Sequence, residues 1–136
     1  MVEHLSKKIL ILGDSMCDKF NFKKAFQHML QKQGYGIILY SNSLNAMELI
    51  EIEQPDLIIM DVHMRYNCGL ELLQQIKANR KISHIPFIAM TSLKYSGKLA
   101  SALKLGATDY FIKNGITPNI VNSKIRKIFV KETAAA

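Results

Sequence analysis

The chain has 136 residues, enough for one domain of ordinary size and too few for two. Hydrophobic residues make up 49% of it and charged residues 21%, which excludes a disordered chain, and no apolar run nears the roughly 20 residues that cross a bilayer. The net charge of +7 arises from basic residues spread from Lys7 and Lys8 through Lys23 and Lys24 to Arg126 and Lys127, the pattern of a solvated surface rather than a nucleic-acid footprint.

The opening stretch, MVEHLSKKILILGD, holds an apolar run too short for a secretory signal, so a cytoplasmic protein is expected. Lys8 to Leu12 is a short run, apolar from Ile9 onward and rich in β-branched residues, stopped by Gly13-Asp14, as a strand buried on both faces reads. From about Lys19 to Gln33, Phe20, Phe22, Ala25, Phe26, Met29 and Leu30 recur at mostly helical spacing, and Gly34 closes the segment. Ile37 to Tyr40 is a second strand. Ser43 is a candidate N-cap for a helix carrying Ala46, Met47, Leu49, Ile50 and Ile52, which Pro55 ends. Leu57 to Met60 is a third apolar strand and delivers Asp61 at its carboxyl end. After a polar loop, a helix runs from about Gly69 to Asn79 with Leu70, Leu72, Leu73 and Ile76 facing inward. Pro86 to Met90 is a fourth strand ending at Thr91-Ser92. A helix over about 96–105 is closed by Gly106, a fifth strand over 109–112 ends at Lys113, and a last helix runs from about Pro118 to Lys131.

Five β-then-α units with all-apolar strands imply an α/β protein of three layers, a parallel sheet covered by helices on both sides. Right-handed crossovers favour the flavodoxin-like strand order 2-1-3-4-5. Residues 1–131 are read as one domain. The tail 132–136 is set apart, because Lys131 to Ala136 (KETAAA) matches the opening of the ribonuclease S-peptide, an affinity tag. Cys17 and Cys68 are too few for a disulfide framework and lack metal-ligand spacing, so two reduced thiols are expected.

In an open sheet of this kind, ligands sit outside the carboxyl ends of the strands, where the strand order reverses. Those ends carry Gly13-Asp14, Asp61, Thr91-Ser92 and Lys113. Each residue alone has an ordinary reading as a cap, a turn or a solvated charge. Together they place two carboxylates, a hydroxyl pair and an ammonium on one edge. Carboxylates with backbone carbonyls suit Mg²⁺, and an ammonium, a hydroxyl and backbone N–H groups can neutralise a phosphoryl group carried by an aspartate.

Three blocks of sequence resemble the receiver domains of two-component response regulators, of the chemotaxis-receiver kind. Asp56-Leu-Ile-Ile-Met-Asp61-Val-His-Met64 with Gly69-Leu-Glu-Leu-Leu resembles their phosphoacceptor block. Pro86-Phe-Ile-Ala-Met-Thr91-Ser92 resembles their fourth strand with its hydroxyl residue. Leu105-Gly106-Ala107-Thr108-Asp109-Tyr110-Phe111-Ile112-Lys113 resembles their Gly-Ala turn, fifth strand and site lysine. The similarity covers about residues 7 to 131.

The resemblance implies that Asp61 accepts phosphate from a histidine kinase or phosphotransfer protein. It implies that Asp14, Asp61 and the backbone carbonyl of His63 ligate Mg²⁺, and that Thr91 and Lys113 bind the phosphoryl group. Tyr110 is then the switch aromatic whose rotamer follows Thr91 and alters the face of helix four, strand five and helix five, where a downstream protein docks. Such a chain is a phosphoacceptor that promotes its own phosphorylation and dephosphorylation rather than a turnover enzyme. No helix-turn-helix pattern follows Lys131, so direct transcriptional control requires a domain outside this chain.

The chain also departs from the family. Gly13 stands where an acid usually lies, which predicts weakened Mg²⁺ binding, with Asp18 one helical turn beyond Asp14. Arg65 follows Met64 in place of a proline, Cys68 replaces a loop acid, and Asn114-Gly115 replaces the proline after Lys113. An Asn-Gly pair can turn the chain with positive φ. These changes ring the site and support a rival reading, a phosphorylation-independent interaction module. A basic nucleic-acid binder lacks a base-reading motif, and a dinucleotide enzyme lacks the glycine-rich phosphate loop after strand one.

Overall fold

A computed structural model describes residues 7–13, 22–40, 45–62 and 69–135. The elements follow in the order β1 (Lys8–Leu12), α1 (Phe22–Gln31), β2 (Gly36–Tyr40), α2 (Ala46–Glu53), β3 (Leu57–Asp61), α3 (Gly69–Ala78), β4 (Phe87–Thr91), α4 (Gly97–Lys104), β5 (Asp109–Ile112) and α5 (Pro118–Ala135). All strand pairs are parallel and the sheet order is β2-β1-β3-β4-β5. The doubly wound, flavodoxin-like architecture expected from the sequence is therefore the one observed.

The central strands β1, β3 and β4 are almost wholly apolar because both faces of the sheet are covered there, whereas the edge strands β2 and β5 are only partly buried. Successive side chains point to opposite faces, so each central strand feeds two cores. Ile9, Ile11, Leu57, Ile59, Ile88 and Met90 meet α1 and α5 through Phe26, Leu30, Val121, Ile125 and Phe129. Leu10, Leu12, Ile58, Met60, Phe87 and Ala89 meet α2, α3 and α4 through Ile50, Leu72, Leu73, Ile76 and Leu99. Phe26 packs against Phe111 with ring centroids 5.8 Å apart, tying α1 to β5 across the first of these cores.

The helix ends show local chemistry. Gly34 (φ 93°) and Gly106 (φ 111°) occupy the left-handed region after α1 and α4, where a Cβ is unfavourable. Pro118 opens α5 at the first helical position, where its missing N–H costs nothing, and Thr117 Oγ1 accepts the Ile120 N–H at 3.2 Å. Three details differ from the sequence reading. The helix expected to end at Lys131 continues to Ala135, since Glu and Ala are good helix formers. Ala25 and Ile52 are exposed, because their helices bury narrower stripes than the apolar spacing suggested. A 3₁₀ turn over Leu93–Tyr95, too short to show a period, precedes α4. Ser43 and the start of the first helix at 19–21 lie outside the described residues, and the N-cap position of α2 falls on Asn45 rather than Ser43, with no side-chain capping bond.

Among the described residues, no helix is long and apolar enough to cross a membrane.

Candidate functional site

The crossovers after β1 and β3 leave in opposite directions, β1 towards β2 and β3 towards β4, which opens a crevice at their carboxyl ends. Asp61 is the last residue of β3 and is 5% exposed, so a carboxylate stands almost buried at the mouth of that crevice. A charge so placed requires a partner. Lys113, just past the end of β5, supplies one: its Nζ donates to Asp61 Oδ2 at 2.8 Å across 52 residues of chain. A charge-assisted bond of this length fixes both groups.

Thr91, the last residue of β4, is 1% exposed and sits in the sheet between the strands that carry Asp61 and Lys113. Hydrogen bonding continues past the strand ends. The Val62 N–H donates to Met90 O at 2.9 Å, and the Lys113 N–H donates to Thr91 O at 2.8 Å. Asp61, Thr91 and Lys113 thus hang from one continuous ladder, so their separations are set by the sheet rather than by loops. Gly13, buried just past β1, donates its N–H to Tyr40 O at 3.1 Å.

Gly69 explains how the chain returns to α3 beside the carboxylate. A Cβ there would lie 2.6 Å from Val62 Cα and 2.9 Å from Asp61 O, closer than packed atoms come. Its value is this close approach. The Gly69-Leu-Glu-Leu-Leu stretch carried that signal in the sequence, without saying what the glycine touches.

After Lys113 the chain turns at Asn114-Gly115, where the Ile116 N–H reaches Lys113 O at 3.4 Å. Positive φ is confined to Gly115 (77°), so Asn114 keeps an ordinary backbone and the pair follows the type II pattern. The Asn-Gly pair thus turns the chain with positive φ, as the sequence suggested, and that φ falls on Gly115. The Asn114 side chain is spent elsewhere: its Oδ1 accepts the Leu93 N–H at 2.7 Å.

Tyr110, on the edge strand β5, is 37% exposed. Lys124 of α5 holds it from outside, with Nζ 4.2 Å from the ring centroid, 2.6 Å from Tyr110 O and 3.2 Å from Asp109 Oδ1. Nothing in the sequence pattern pointed to Lys124.

The structure therefore brings together Asp61, Thr91 and Lys113, and places Tyr110 one strand position from the Phe111–Ile112 end of β5. Asp14, Asp18, His63, Arg65, Cys17 and Cys68 lie outside the described residues. Among the described residues no cluster of three or more His, Cys, Asp or Glu side chains is placed to hold a metal, and Asp61 contributes one carboxylate at this edge.

Comparison with known proteins agrees with this fold. The family described as response regulator receiver domain matches residues 16–124. The alkaline phosphatase synthesis transcriptional regulatory protein PhoP of Bacillus subtilis (strain 168) is 29% identical over 132 residues, covering 97% of this chain and 52% of PhoP. The chain thus spans about half the length of that relative. The polar-differentiation response regulator DivK of Brucella anthropi is 28% identical over 119 residues, covering 88% of this chain and 94% of DivK. In three dimensions, the receiver domain of sensor histidine kinase PA1611 from Pseudomonas aeruginosa PAO1 superposes with a TM-score of 0.76 at 21% identity, covering 90% of this chain and 96% of that one.

Proposed function

The chain belongs to the response-regulator receiver-domain family of two-component systems, and on that premise we propose that it accepts a phosphoryl group on Asp61 from a histidine kinase or phosphotransfer protein. The observation that carries this is the Lys113–Asp61 pair, 2.8 Å long, with Asp61 nearly buried at the switch point of the sheet. A buried aspartate paired for stability alone could lie at either end of a strand. This one lies at the carboxyl edge, with Thr91 on the strand between the partners.

In the transfer, an Asp61 carboxylate oxygen attacks phosphorus, a P–O bond forms, and the P–N bond to the donor imidazole breaks with the electron pair leaving on nitrogen. The Lys113 ammonium, already on Asp61, lies within reach of the incoming phosphoryl oxygens and offsets their charge without prior reorganisation. Thr91 supplies a hydroxyl donor from the neighbouring strand end. Asp61 fits the one or two carboxylates that Mg²⁺ normally takes from protein, with Asp14 and the His63 carbonyl as the remaining protein ligands. Bound there, Mg²⁺ supplies positive charge to the phosphoryl oxygens. The receiver domain of PA1611 holds magnesium in its active-site cleft, which supports this assignment.

A phosphoryl group of charge near −2 adds a strong anion beside Thr91 and Lys113. Movement of Thr91 towards it frees space for Tyr110, and the face formed by α4, β5 and α5 changes for a downstream protein target. The chain is then a phosphoacceptor in a cytoplasmic phosphorelay, not a turnover enzyme. The rival, a phosphorylation-independent module, draws on Gly13 in place of an acid.

Intact-mass measurement after incubation with acetyl phosphate and Mg²⁺ separates the two. One phosphoryl mass is expected in the wild type, none in Asp61→Asn, and none in the wild type with excess chelator. No gain in the wild type across a wide range of Mg²⁺ would favour the interaction module.

A further inference from the structure

Thr91 and Lys113 stand on different strands, yet both must meet the same phosphoryl group, so what links their loops matters. Two hydrogen bonds do so. The Lys113 N–H donates to Thr91 O at 2.8 Å, and one residue further on Asn114 Oδ1 accepts the Leu93 N–H at 2.7 Å. The first is an extension of the β4–β5 ladder. The second is made by a side chain across 21 residues and belongs to no regular element.

The Leu93 N–H opens the 3₁₀ turn Leu93–Tyr95. Amides at such a position lack a partner within the turn and are normally capped by a preceding side chain. Ser92 occupies the cap position and makes no side-chain capping bond. Asn114 caps the turn instead, from the loop that follows β5. The main chain at Asn114-Gly115 suits this task, because the positive φ falls on Gly115 and leaves Asn114 free to face β4. A proline at 114 has no side-chain acceptor and could not make the bond.

We propose that Asn114 is a positioning residue: it clamps the segment leaving Thr91 to the loop carrying Lys113, so that the hydroxyl and the ammonium approach a phosphoryl group on Asp61 as one unit. The proposal rests on the phosphoacceptor reading of Asp61 for its consequence, though not for its geometry. Without the clamp, the Leu93 N–H loses this acceptor, the turn after Thr91 loses this link to the loop carrying Lys113, and the two phosphoryl-binding groups are held together less closely.

The test uses the full chain and three variants, Asn114→Ala, Asn114→Asp and Asn114→Pro. Amide hydrogen exchange is read at Leu93, with Ile58 and Val62 in the sheet as internal references. Loss of protection at Leu93 by about tenfold is expected in Asn114→Ala and Asn114→Pro, the scale of one lost hydrogen bond. Asn114→Asp keeps an acceptor oxygen and restores protection, while the references stay unchanged in all three. A general loss of stability would instead lower Leu93, Ile58 and Val62 together.

The second readout is the rate of phosphoryl incorporation from acetyl phosphate with Mg²⁺, with Asp61→Asn as the blank. A fall of about three- to tenfold in Asn114→Ala is expected, the scale of one neutral hydrogen bond. Leu93 protection unchanged in Asn114→Ala overturns the clamp. Equal incorporation rates in wild type and Asn114→Ala overturn the positioning role while leaving Asp61 as the phosphoacceptor. No incorporation in the wild type overturns the phosphoacceptor reading itself, and the Leu93 result still decides whether the clamp exists.

Discussion

A lysine–aspartate pair stands at each end of β5, and the two pairs do different things with the same chemistry. At the amino end, Lys124 reaches from α5 to Asp109 at 3.2 Å, and both side chains are about 30% exposed. The same ammonium also bonds Tyr110 O and covers the Tyr110 ring, so it is committed to fastening helix to strand. At the carboxyl end, Lys113 meets Asp61 at 2.8 Å with the carboxylate side chain only 7% exposed, and the pair joins two strand ends at the switch point. Residue type does not separate a staple from a reactive site. Burial of the carboxylate and position in the sheet do, since Asp61 is nearly buried at the crevice where a ligand can arrive, while Asp109 is partly exposed at the opposite end of the strands.

The contrast can be broken most sharply at Lys113. Lys113→Met leaves Asp61 without this counter-charge in a nearly buried place, and a loss of about 3 kcal/mol is expected, the lower end for a broken buried pair because Lys113 is itself partly exposed. Urea unfolding measures it, and adding Asp61→Asn in the same chain recovers most of the loss if the cost comes from removing this counter-charge. Gly69→Ala probes the crowding behind the carboxylate. A Cβ 2.6 Å from Val62 Cα forces the backbone of β3 to shift, with a cost of about 2 kcal/mol and slower phosphoryl incorporation at Asp61. The smallest effect belongs to the staple. Lys124→Met is expected to cost about 1 kcal/mol, from a partly exposed ion pair and a cation–π contact, and the cost shrinks as salt is raised. A Lys124 loss as large as that of Lys113 would mean that burial is not what distinguishes the two pairs.

Much of this was legible in the chain. The apolar runs of the central strands were legible because a strand buried on both faces needs no polar alternation, and the alternation of strands with helices placed Asp61, Thr91 and Lys113 at strand ends. Gly34 and Gly106 marked helix ends through the conformation they adopt. Less visible were contacts between residues far apart in sequence whose types carry no special signal. Asn114 read as half of a turn, and its bond to Leu93 appears only once β4 and β5 lie side by side. Ile52 read as a helix apolar residue, and only the packing of α2 shows it to be 76% exposed.

The sequence by itself determined the order of the elements, the parallel sheet and the edge on which the reactive residue types collect, because hydrophobic periodicity and turn chemistry are local properties. Only the tertiary structure decided that Lys113 bonds Asp61 directly, which lysine clamps Tyr110, and which side chain caps the turn after Thr91. Those choices depend on distances across 14 to 52 residues of chain, and such distances are fixed by strand register and helix packing rather than by any neighbour in sequence.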